Sequence, residues 1–74
     1  MLTDDQEMIN EMLLSLMTLT ENIEESLQKL ASNGDMMTKK YEYLMKLHKS
    51  LMKSHRIALK IKAIENYGDD YNEE

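Results

Sequence analysis

The chain contains no cysteine, proline, tryptophan or phenylalanine, and only two of its 74 residues are glycine. Each absence closes a route. Without cysteine there is neither a disulfide framework nor a thiolate metal site, the two staples by which other chains of this size offset their conformational entropy. Without proline, and nearly without glycine, little interrupts a helix over long stretches. Four tyrosines are the whole aromatic complement, which gives no sign of an exposed platform for stacking bases. Long apolar runs are missing as well. Stretches such as Met12-Leu13-Leu14 are far too short to span a bilayer, and Met1 is followed by Leu-Thr-Asp-Asp, not by a basic leader. These absences predict a soluble, cytoplasmic chain with no membrane partner.

What is present favours helix: Leu, Met, Glu, Lys and Ile dominate, and methionine alone occurs eight times. Thr3-Asp4-Asp5-Gln6 fits a capping box, with acids where the helix dipole favours them. Helix 1 is predicted over about 4–31 on a seam of Leu2, Ile9, Leu16, Ile23 and Leu30, flanked by Met12, Leu13, Leu19 and Leu27. Ser32-Asn33-Gly34-Asp35 then supplies a left-handed C-terminal cap and an Asp able to cap the next helix, so the turn is placed at 32–35. Helix 2 is predicted over about 36–66. Leu44, Leu47, Leu51, Ala58 and Ile61 form its seam, interrupted by Ser54, beside a second stripe of Tyr41, Met45, His48, Met52, His55 and Leu59. Tyr67-Gly68 ends it, and residues 67–74 read as a solvated acidic tail.

The expected architecture is therefore all-α: one domain over 1–74, an antiparallel two-helix hairpin with a short turn. Two helices cover each other on one side only. Met8, Leu14 and Met17 lie outside the helix 1 seam, and Met45, His48, Met52 and His55 lie outside that of helix 2. These seven are the candidate partner-binding residues, and two hairpins joined as a homodimeric four-helix bundle are the simplest way to bury them. Methionine fills cores, but its flexible side chain also suits adaptable binding surfaces.

Charge is segregated along the chain. Residues 1–33 carry seven acids and one base, whereas 36–66 carry two acids and eight bases. Lys39 and the candidate ridge Lys46, Lys49, Lys53, Arg56 and Lys60 follow helical spacing on the side of helix 2 away from its leucines. Three readings compete. Glu21, Glu24 and Glu25 pair with helix 2 bases, at under about 1 kcal/mol per exposed pair; or the ridge contacts phosphates with steep salt dependence; or one charged face docks onto an oppositely charged protein. A net charge of −5 weighs against nucleic acid as the principal partner. Mimicry of nucleic acid by Asp4, Asp5, Glu7 and Glu11, or by the C-terminal acidic tail, is weaker still, because the acids are few and dispersed.

Nothing in the pattern points to catalysis, a cofactor, a metal or a small-molecule substrate. His48 and His55 stand seven residues apart, about 10.5 Å along a helix axis, too far to share a metal. Neither HExxH nor Glu-x-x-His occurs. As histidines they could make an interface sensitive to pH between about 5 and 8. A two-helix chain has no concave pocket for a nucleophile and a base, and Glu24-Glu25 and Asp69-Asp70 are sequence neighbours that point apart or into solvent.

The hairpin topology, the heptad-like seams and the ending Tyr67-Gly68-Asp69-Asp70 resemble the Rop family of plasmid RNA-binding regulators, which are dimeric four-helix bundles. The resemblance covers topology and that short ending. It implies RNA contacts from basic and aromatic residues of helix 1, and here helix 1 has only Lys29 and no aromatic. In size and acidity the chain is also similar to helical-hairpin chaperone subunits of bacterial secretion systems and to small inhibitors of phages and plasmids. The leading expectation is a non-catalytic regulatory or inhibitory protein, encoded by a phage, plasmid or other mobile element, that acts by stoichiometric protein binding. The alternatives are a dimeric Rop-like nucleic-acid binder using the helix 2 ridge, and a secretion-system accessory subunit.

Overall fold

Thr3 starts the first helix as its sequence requires. Its hydroxyl accepts from the Gln6 N–H at 3.1 Å while the Gln6 amide oxygen accepts from the Thr3 N–H at 3.0 Å, closing the capping box. The computed structural model describes residues 2–68, and its two elements are α1 (Asp4–Ser32) and α2 (Lys39–Tyr67). The fold is the expected all-α antiparallel hairpin. The acidic tail beyond Gly68 lies outside the described residues.

The turn departs from expectation in one respect. Gly34, at φ +78°, takes the left-handed position, its N–H donates to Ala31 O at 3.1 Å, and the Asp35 N–H donates to Leu30 O at 2.8 Å. These two bonds are a Schellman closure of α1. Asp35 is thus part of the α1 cap, and it does not start α2. That role falls to Thr38, whose hydroxyl accepts from the Tyr41 N–H at 3.2 Å and donates to Asp35 O at 2.8 Å. The second helix therefore begins at Lys39, three residues later than about 36. At its far end Gly68 closes α2 at φ +87°, where Tyr67-Gly68 was expected to end it.

The two helices meet along rows that advance by alternating threes and fours. On α1 the row is Gln6, Ile9, Leu13, Leu16, Thr20, Ile23, Leu27 and Leu30; on α2 it is Tyr41, Leu44, His48, Leu51, His55, Ala58, Lys62 and Glu65, and every one is buried or half-buried. This 3.5-residue period is that of a left-handed coiled pair. Ile9, Leu13 and Ala58, with Leu16 against them, form a buried apolar cluster.

The expected α1 seam is met at Ile9, Leu16, Ile23 and Leu30, with Leu13 and Leu27 beside them, whereas Leu2 is exposed and the α2 seam is rotated. Met12 and Leu19 on α1, and Leu47 and Ile61 on α2, are exposed, while His48 and His55 turn toward α1. Polar contacts across the hairpin accompany this arrangement. Gln6 Nε2 donates to Glu65 O at 3.2 Å and Asn66 Oδ1 at 3.3 Å, and His48 Nε2 lies 2.9 Å from Glu24 Oε2. Turning α2 to bury Leu47 would break both ends of this frame.

A pair of helices makes little interior. The chain exposes 6050 Å², against about 4,700 Å² for a compact monomer of 8.7 kDa. Its radius of gyration is 16.1 Å, where a compact chain of this length has about 11 Å.

Candidate functional site

The inner rows divide the rest of the surface into two stripes, one on each broad side. The residues one position after each inner residue form the first: Asn10, Leu14, Met17, Glu21 and Glu24 on α1, and Met45, Lys49, Met52, Arg56 and Leu59 on α2. Met17, Thr20 and Glu21 come together with Met52 and His55 around a shallow groove of about 190 Å³. A second depression continues it along α2 over Met45, His48, Lys49, Met52 and Arg56. The floor is methionine and half-buried histidine, and the rims carry opposite charge: Glu21 and Glu24 on α1, Lys49 and Arg56 on α2.

Five of the seven candidate partner-binding residues line this side as exposed or groove-forming groups: Leu14, Met17, Met45, Met52 and His55. His48 contributes to its edge but is committed inward to Glu24, with its side chain 27% exposed. Met8 is exposed on the opposite side, beside Asp5, Met12 and Ile61.

The basic ridge is where its spacing put it. Lys46, Lys49, Lys53, Arg56 and Lys60 are all exposed on α2. Its neutralisation differs from the simplest reading, in which helix 1 acids pair with helix 2 bases. Glu25 pairs with Lys29 on its own helix at 3.5 Å, and Glu24 turns to His48. On α2, Glu42 takes both Lys46 at 3.2 Å and Lys39 at 3.8 Å, and Lys46 also lies 5.6 Å from the centre of the Tyr43 ring. These exposed pairs each contribute under about 1 kcal/mol.

The other broad side holds what the sequence reading missed. One position before each inner residue lie Asp5, Met8, Met12, Ser15, Leu19, Asn22, Ser26 and Lys29 on α1, and Lys40, Tyr43, Leu47, Ser50, Ser54, Ile57, Ile61 and Ile64 on α2. Between the two ends this stripe has no charged residue, and Met12, Leu19, Leu47, Ile57 and Ile61 are exposed along it. Its sequence signal was the run of threes and fours without charge; assigning Leu19, Leu47 and Ile61 to the inner seams concealed it.

No helix among the described residues is long and apolar enough to cross a membrane. Among the same residues no three His, Asp or Glu side chains converge as a metal-binding group. Comparison with protein-family models, with curated proteins and with solved structures finds no match. The likeness to Rop thus rests on topology and the short ending, and no residue role is carried over from it.

Proposed function

We propose that this chain is a non-catalytic regulatory or inhibitory protein that acts by stoichiometric contact with another protein. The observation that carries this reading is the methionine groove between Met17 and Met52, left open on a chain otherwise too thin to enclose a substrate. Methionine side chains adapt to varied apolar partners, and a groove between two helices is the ordinary seat of a third amphipathic helix. The rims specify its polarity. A helix with apolar residues on one face, bases along the edge toward Glu21 and Glu24, and acids along the edge toward Lys49 and Arg56 matches the groove.

The test is affinity capture with the intact chain and with a Met17→Asp, Met52→Asp variant. A protein retained in stoichiometric amount by the former and lost from the latter is the expected result. Equal capture by both would overturn the assignment of this face.

The shared exposed side of Lys46, Lys49, Lys53, Arg56 and Lys60 favours a second reading, contact with nucleic-acid phosphates. Lys53→Glu with Lys60→Glu, which leaves the charged rims of the groove untouched, separates the two. Phosphate binding would be abolished and its salt dependence flattened, whereas a complex held by Met17 and Met52 would survive.

A further inference from the structure

The charge-free side is independent of the methionine groove and faces the opposite way. We propose that it is the face on which a second copy of this chain packs, with its turn at the opposite end, to form a four-helix bundle. Met8, Met12 and Leu19 on α1 and Leu47, Ile57 and Ile61 on α2 are exposed there, and the residues between them are small and uncharged, such as Ser15, Asn22 and Ser54. A charged partner would find nothing to pair with along the middle of this stripe. A second copy meets no repulsion, and each apolar row finds its like.

Area supports the same occupant. Two adjacent helices of 29 residues offer a side about 44 Å long and about 20 Å wide. That matches the roughly 800 Å² per partner buried in a standard interface. The surface this chain exposes beyond a compact monomer, 6050 Å² against about 4,700 Å², is more than enough to supply it.

Charge at the two ends of the stripe selects the orientation. Asp5 and Glu65 stand together at the open end of the hairpin, whereas Lys29 and Lys40 stand at the turn end. Two face-to-face arrangements have two-fold symmetry. With both turns at the same end, α1 lies over the partner's α2, acid meets acid at the open end, and Lys29 meets Lys40 at the other. With turns at opposite ends, each helix lies over its own copy, so Asp5 faces a second Lys29 and Lys40 faces a second Glu65. The second arrangement pairs every one of these charges with its opposite, and it also places Leu19 and Ser54, near the middle of their helices, close to their own copies across the axis.

Because the chain has no cysteine, single thiols report this geometry directly. A Ser54→Cys variant treated with a short bis-maleimide should give a covalent dimer by itself. If Ser54→Cys failed to link to itself but linked to a Leu19→Cys chain in an equimolar mixture, the opposite-end orientation would be overturned. Lys40→Glu should weaken the dimer on the order of tenfold, and adding Glu65→Lys should restore it. Both variants change exposed or half-buried groups, so helix content read by circular dichroism should be retained. A Lys40→Glu dimer as tight as the parent, or a parent chain monomeric at every concentration reached in sedimentation, would overturn the proposal. Neither result bears on the methionine groove, which lies on the other side.

Discussion

The two broad sides of the hairpin are built from the same period and differ in almost nothing but charge. One position after the inner rows, methionines alternate with Glu21, Glu24, Lys49 and Arg56; one position before them, Met12, Leu19, Leu47 and Ile61 alternate with Ser15, Asn22, Ser26 and Ser54. Both sides leave large apolar groups in water. What separates them is the partner each can tolerate. A face with charged rims rewards a complement and penalises a mismatch, so it suits recognition of something else. A neutral face with charge only at its ends suits its own copy in a fixed orientation.

The sharpest way to break the comparison is to place a charge on each side in turn. Leu19→Lys should convert the dimer to monomer at micromolar concentration, because two lysines would meet near the two-fold axis in an interface that offers them no partner. Its Tm should fall with it, since self-association stabilises each hairpin by mass action. Next in size is the cluster common to both sides. Leu13→Ala removes a side chain packed with Ile9 and Ala58 and should cost about 2–4 kcal/mol, visible as a lower urea midpoint whichever face is occupied. Gly34→Ala forces a Cβ into φ +78° and should cost about 1–2 kcal/mol by the same measurement, although no neighbouring atom lies within 4 Å of that Cβ. Thr3→Ala, which removes the capping-box hydroxyl, should cost about 1 kcal/mol and show first as faster amide exchange in the opening turn of α1. Smallest is Glu25→Gln, which ends the exposed pair with Lys29 and should change stability by less than about 0.5 kcal/mol. A larger loss there would mean that the outer charges do more than the two sides do.

The ends of the helices were legible in the sequence because local chemistry decides them. Thr3 with Gln6, Gly34 after Asn33, and Tyr67-Gly68 each satisfy backbone groups with residues a few positions away. The start of α2 was not, since Asp35 and Thr38 are both capable caps and the choice depends on Asp35 being drawn into the Schellman closure of α1. The rotation of the helices was harder again. On α2 the series Leu44, Leu47, Leu51, Ala58, Ile61 and the observed series Leu44, His48, Leu51, His55, Ala58 share Leu44, Leu51 and Ala58 and both fit steps of three, four and seven residues, and hydrophobicity prefers the first. The second is realised with Glu24 on His48 and Gln6 on Glu65 and Asn66, contacts between residues 24, 59 and 60 positions apart that no local pattern announces. His48 and His55 therefore face α1 while still lining the methionine groove, and the neutral side became visible only once Leu47 and Ile61 were seen outside the inner rows.

The separate roles of the two sides are tested most directly by light-scattering mass of three chains at equal concentration: the parent, Met52→Lys and Leu19→Lys. The account predicts twice 8.7 kDa for the parent and for Met52→Lys, and 8.7 kDa for Leu19→Lys. The same mass for both lysine variants, whether monomer or dimer, would contradict it.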